Sequence, residues 1–161
     1  MQDLLDDRVK AMTWLQRQRS NLLSCVSALA RESQHQPLLK LADAMSVYLR
    51  QAGPWEHALI LHREAADCAA RHGDRIGYAR SLCELGGILY LRSEYPQAEA
   101  ALREALAVVR QCATERAATS LESTALVRLG ALQRHTGQLA DAVEKYSMCF
   151  GGATPPRGQR G

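Results

Sequence analysis

The sequence predicts an all-α fold: a right-handed solenoid of helical hairpins, about eight helices in all. Three stretches carry the same kinds of residue at the same offsets. They are LADAMSVYLRQAGPWEHALILHREA (41–65), SLCELGGILYLRSEYPQAEAALREA (81–105) and ALVRLGALQRHTGQLADAVEKYSMC (125–149). In each, a small residue (Ser46, Gly86, Gly130) is followed twelve positions later by Ala58, Ala98 or Ala142, and seven further on by Ala65, Ala105 or Cys149. The alanines fall 40 and then 44 residues apart, a period that marks stacked helix pairs when it is filled with helix formers. No run shows the apolar–polar alternation of a strand.

The helices can be placed in order. Residues 3–19 form a first helix, with Leu5, Val9, Met12 and Leu15 on one face. Asn21 suits the N-cap of a second helix, running to about Ser33. Pro37 fits the first turn of a third, where its missing N–H costs nothing. Gly53-Pro54 ends that helix, and a fourth runs from Trp55 to about His72, where Gly73-Asp74 stops it. The fifth spans about 74–92. The sixth follows Ser93-Glu94-Tyr95-Pro96 and ends near Cys112. A looser connection leads to the seventh, about 117–135, and Thr136-Gly137 separates it from the eighth, about 138–150. The chain thus divides into an N-terminal helical pair (1–36), three pairs (about 37–73, 74–113 and 117–150) and a tail. The tail, GGATPPRGQRG (151–161), has almost nothing to bury and reads as disordered.

The repeated residues have a packing logic. Glycine inside a helix costs about 0.5–1 kcal/mol against alanine, so Gly86 and Gly130 need an offsetting gain. Close approach of two helix backbones supplies one, with Ala98 and Ala142 as the small residues on the second helix of each pair. Leu85, Leu129, Leu102, Tyr146, Trp55, Tyr95 and Leu139 then fill the space around them.

Composition narrows the function. The balance of 47% hydrophobic and 23% charged residues is that of an ordinary globular domain. A net charge of +3 is too small to argue for nucleic acid or an acidic membrane surface. The N-terminal MQDLLDDRVK has no basic region and no long apolar run, so no signal peptide is expected. No stretch approaches the roughly 20 apolar residues of a membrane span. The five scattered cysteines read as reduced thiols of a cytoplasmic protein.

The three copies resemble the tetratricopeptide family over residues 38–150. The second copy matches its pattern of small residue, alanine and alanine fully, and the third departs at Cys149. The first departs at Ser46 and at His62, where a large apolar residue is usual. A further resemblance is to the helical arm of actinobacterial NB-ARC transcriptional regulators, signal-transduction ATPases often of the antibiotic-regulatory type. WLQRQRSNLLSCVSAL (14–29) is similar to the segment that opens that arm, with Gln18 where glutamate is usual. Trp55, Ala58, Leu59, Leu61, His62, Arg63 and Ala65 match a second segment, and His72, Gly73, Asp74, Arg75, Gly77, Ala79 and Arg80 a third. The resemblance implies a non-catalytic, ligand-sensing or protein-binding arm that restrains an ATPase module until a partner binds. A free-standing adaptor or peptide receptor is the alternative.

In tetratricopeptide solenoids the first helix of each pair lines the inner surface. Carried onto this chain, that implies a groove of Lys40, Asp43, Val47 and Arg50, then Arg80, Cys83, Gly87 and Tyr90, then Thr124, Val127, Ala131 and Arg134. Basic residues recur in it, which suits an acidic peptide or a carboxylate. Val47 and Glu84 stand where the chaperone-tail clamps of the family use asparagine, so a clamp of that type is not expected. The apolar face of Val143, Tyr146 and Phe150 predicts self-association or a longer array.

Catalytic and cofactor chemistry finds no motif. Cys68 and His72, four apart, supply only two metal ligands, and His57 and His62 do not share a helix face. There is no G-x-x-x-x-G-K-[ST], no nucleophile elbow and no basic recognition helix. Arg17 and Arg19 belong to a solvated face. An enzyme, a cofactor, a metal and direct nucleic-acid binding are all unexpected.

Overall fold

A computed structural model describes residues 2–53, 55–112 and 116–149; for residues 2–6, 8, 52 and 116 it describes the backbone alone. The helices are α1 (Gln2–Arg31), α2 (His35–Ala52), α3 (Trp55–Arg71), α4 (Arg75–Leu91), α5 (Tyr95–Arg110), α6 (Arg116–His135) and α7 (Leu139–Cys149). The described residues are all-helical, with no strand among them.

One boundary differs from expectation. The N-terminal pair is a single helix, α1, so there are seven helices among the described residues where about eight were expected. Asn21 does not cap a second helix. Its Nδ2 donates to Gln18 Oε1 at 2.8 Å, and Ser24 Oγ donates to the Ser20 carbonyl at 3.0 Å. No glycine or proline interrupts α1. Met12, Leu15, Leu22, Val26 and Leu29 keep three-to-four spacing across the supposed break and pack on one core.

The turns repeat a single device. After α1, α3, α4 and α6 the chain passes through one left-handed residue: Ser33 (φ 54°), Gly73 (φ 69°), Ser93 (φ 63°) and Gly137 (φ 83°). The next amide then reaches back five residues, as in Gln34 N–H to Leu29 O at 2.8 Å and Glu94 N–H to Leu89 O at 2.9 Å. This is the Schellman arrangement, which satisfies the last carbonyls of a helix and reverses the chain at once. Asp74 caps α4 by accepting from Gly77 N–H at 2.7 Å.

The small residues do what their spacing predicts. Ala58, Ala98, Ala65 and Ala105 are fully buried. A Cβ placed on Gly86 would lie 2.6 Å from Leu102 Cγ, and one on Gly130 would lie 2.9 Å from the Tyr146 ring. Ser46, in the glycine place of the first copy, fits because its hydroxyl donates to the Ala42 carbonyl at 2.8 Å. His62 is also buried, at 2% exposure.

Two core clusters result, one centred on α1–α3 and one on α4–α6, with Leu85 bordering both. Each helix packs on its chain neighbours; α1 also packs on α3, α2 on α4, and α4 on α6. Among the described residues α3 and α5 do not touch, nor do α5 and α7. From α2 onwards the first helices of successive hairpins are therefore drawn together while the second helices α3, α5 and α7 splay, which curves the stack there and puts α2, α4 and α6 on its inner face.

Helix α7 buries only Ala142 fully among its described residues, leaving Leu139 and Val143 exposed at 62% and 64%. Tyr146, half-buried, covers Gly130. Phe150 and the 151–161 tail lie outside the described residues. Among the described residues no helix is long and apolar enough to cross a membrane.

Candidate binding cleft on the inner face

Ion pairs run across the inner face from hairpin to hairpin. Asp43 on α2 accepts from Arg80 on α4 at 2.6 Å. Further along, Glu84 on α4 bridges two arginines: Oε2 takes Arg50 Nη1 of α2 at 2.7 Å, and Oε1 takes Arg128 Nη2 of α6 at 2.7 Å. Arg128 Nη1 also donates to the Cys83 carbonyl. Arg128 can lie across α4 because Gly87 has no side chain; a Cβ there would meet its guanidinium at 3.2 Å.

Beside this bridge α2, α4 and α6, with Leu102 of α5, line an open cleft of about 270 Å³. Arg50 and Arg128 are the charged residues of its lining, which is otherwise almost wholly apolar. Its floor is Gly86, Gly87, Leu102 and Ala131, and its wall is Tyr90 and Leu91. Tyr90 is held in turn by the rings of Tyr95 and His135, with centroids 6.0 Å and 5.8 Å away. Tyr95 Oη and His135 Nε2 lie 2.8 Å apart, which ties the start of α5 to the end of α6. His62 lies within the field of Glu84, Arg128, Asp43 and Arg50, and burial, the largest cause, pulls its pKa down from 6.5 to about 4. It is therefore neutral at pH 7, and the charge of the site comes from its arginines and glutamate alone.

The expected groove residues divide into several groups. Arg50, Tyr90, Gly87 and Ala131 do line the cleft. Lys40, Asp43 and Arg80 line a second cleft of about 300 Å³ near the start of α2 and α4, with Asp74 and Gly77. Val47 and Val127 are exposed, and so is Arg134. Thr124 is half-buried and spends its hydroxyl on the Ser120 carbonyl of its own helix, at 2.9 Å. Cys83 is not a groove residue. It is 1% exposed in the α4–α6 core, and burial raises its thiol to about 12. The side chain that faces the groove there is its neighbour Glu84. The basic trough is also partly neutralised: Arg80 and Arg50 are paired, while no ion pair to Lys40 or Arg134 occurs among the described residues.

Arg128 is the residue the groove assignment missed, and Glu84, placed only as a departure from a clamp, is its partner. They are 44 residues apart, the interval between the second and third copies, so they hold the same place on successive hairpins with opposite charge. That coincidence was the available signal.

The histidine–cysteine pair of α3 makes a different contact from a metal site. His72 Nδ1 lies 2.8 Å from the Cys68 carbonyl and 3.8 Å from its Sγ. The His72 ring stacks on His35, with centroids 4.8 Å apart and planes within 6°. Among the described residues no group of three or more histidine, cysteine or acidic side chains is placed to hold a metal ion.

No protein-family model matches the chain, and no curated protein matches it.

Proposed function

We propose that this chain is a non-catalytic binding module of the tetratricopeptide type, working as the ligand-sensing arm of an NB-ARC-type transcriptional regulator in the cytoplasm. The observation that carries the reading is the cleft shared by α2, α4 and α6, with two arginines in its lining and an apolar floor. A cleft formed by three successive hairpins responds to their relative placement, so an occupant and the curvature of the stack are coupled. The sequence resemblance at 14–29, 55–65 and 72–80 supplies the regulatory setting.

Affinity capture with mass spectrometry tests the reading. The bait is the whole chain, compared with Lys40→Glu/Arg134→Glu on the inner face and with Arg63→Glu on α3, a second helix. A partner held by the inner face is lost from the double variant, kept by Arg63→Glu, and released as salt rises, because the Debye length falls from about 10 Å at 0.1 M to about 3 Å at 1 M. Equal retention by all three baits would place recognition elsewhere and remove the basis of the reading.

A further inference from the structure

The charge of the arginines that line the cleft is not balanced. Two guanidiniums, on Arg50 and Arg128, share the single carboxylate of Glu84, and each gives it one N–H. A guanidinium carries five N–H donors in a fixed fork. Arg128 uses one more on the Cys83 carbonyl, and no other hydrogen bond of Arg50 occurs among the described residues. Donors therefore remain, together with one net positive charge, since His62 beneath is neutral. The three side chains are only 17–34% exposed, so water screens that charge less than at an open surface.

The rest of the cleft has no such capacity. Its floor is apolar or lacks a side chain, and among its wall residues only Tyr90 carries a polar group. A cavity of about 150 Å³ lined by aliphatic and aromatic groups accepts benzene. This cleft, at about 270 Å³, has room for an apolar body nearly twice as large.

We propose that the cleft binds a small amphipathic monocarboxylate. Its carboxylate is taken by Arg50 and Arg128, and its apolar body rests on Gly86, Gly87 and Ala131 against Tyr90. One negative charge matches the one uncompensated positive charge; a dianion would leave an excess beside Glu84. Planar, bidentate donors suit a carboxylate. The inference rests on the inner face being the binding face, and it names the chemical class of ligand.

The test uses the whole chain and two probes, 2-naphthylacetate and octanoate, in isothermal titration calorimetry. At least one should bind with one-to-one stoichiometry. The uncharged 2-naphthylacetamide should bind at least about tenfold more weakly than its acid, the value of one charge-assisted hydrogen bond. Ala131→Leu, which fills the floor, should abolish binding with an unchanged circular dichroism spectrum. Arg50→Gln should weaken binding at least about tenfold. The comparison of acid and amide needs no variant, and it decides the charge argument even if Arg50→Gln does not fold. Absence of binding by both acids overturns the proposal, as does equal affinity for acid and amide or indifference to Ala131→Leu. A tetrapeptide with a free C-terminal tryptophan that binds where both acids fail also overturns it, by assigning the cleft to a chain end. Loss of this proposal leaves the captured partner and its dependence on Lys40 and Arg134 intact, so the two failures are distinguishable.

Discussion

Gly86→Ala, set beside Gly87→Ala, tests the close-packing account with one methyl group at two adjacent sites. A Cβ on Gly86 would lie 2.6 Å from Leu102 Cγ, 2.9 Å from Leu102 Cδ2 and 3.2 Å from the Ala98 carbonyl oxygen. Carbon atoms rest at about 3.5–4.0 Å, so roughly 1 Å of movement is required of a fully buried leucine and a helix backbone. Such overpacking costs about 1–3 kcal/mol, against a helix-propensity gain of about 0.5–1 kcal/mol. The net loss is between about 0 and 2.5 kcal/mol. At Gly87 the nearest atoms are the Arg128 guanidinium, at 3.2 Å and 3.4 Å. That end of a long side chain can give by a few tenths of an ångström, so the propensity gain prevails and stability rises by up to about 1 kcal/mol. Urea denaturation reads both as shifts in midpoint at constant m. Leu102→Ala then supplies a cycle: once the leucine is shortened, Gly86→Ala should turn from destabilising to neutral or stabilising. A larger loss at Gly87 than at Gly86, or no coupling to Leu102, would refute the frame that puts Gly86 between helices and Gly87 on the inner face.

His62 is neutral inside the fold, with Glu84, Arg128, Asp43 and Arg50 the charged groups around it. Its folded pKa of about 4 lies below the unfolded 6.5, so the unfolded chain binds more protons in between, and its contribution is intact above pH 6.5 and lost as pH falls towards 4. His62→Leu should flatten the stability profile over that window by at most about 3 kcal/mol; parallel profiles in urea melts would mean the ring is protonated in place. Ser93, in the left-handed region at φ 63°, should be replaceable by glycine with a gain of about 0.5–1 kcal/mol, read as a rise in thermal midpoint; a fall would show that the serine side chain holds the turn. Cys25 is exposed whereas Cys68, Cys83 and Cys112 are buried, so a thiol reagent should label Cys25 in the native state and those three only on unfolding; native labelling of Cys83 would contradict its place in the core.

The repeat positions were legible because packing there is decided locally, by side-chain size at fixed offsets. Gly86, Gly130, Ala58, Ala98 and Ala142 could be placed on facing helices from spacing alone. The continuity of α1 was harder to see. An asparagine near a serine looks like a cap, yet its side chain can equally bond one turn back, and only the apolar face running through Leu22 and Val26 decides between them. The inner face was off by one residue at Cys83, which is core, with Glu84 beside it in the groove. Helix positions one apart differ by about 100° of rotation, so a small error of register exchanges a core residue for a groove residue. The Glu84 bridge was illegible for another reason: it joins residues 34 and 44 positions away, and which charges meet depends on how far one hairpin is shifted over the next.

Packing confined to helices one or two places apart in the chain also sets the order in which the molecule opens. In a linear stack the ends come apart first, hairpin by hairpin, without the middle having to unfold. Both ends bury little: among the described residues α1 buries only Val26 and α7 only Ala142, and the cleft lies nearer α7. Departure of α7 uncovers Gly130 and loosens α6, which carries Arg128 and Ala131. An occupant of the cleft touches α2, α4 and α6 together, so it fastens the fraying end to the body of the stack. Its affinity would then be legible at a distance, as slower amide hydrogen exchange along α7, a helix it never contacts.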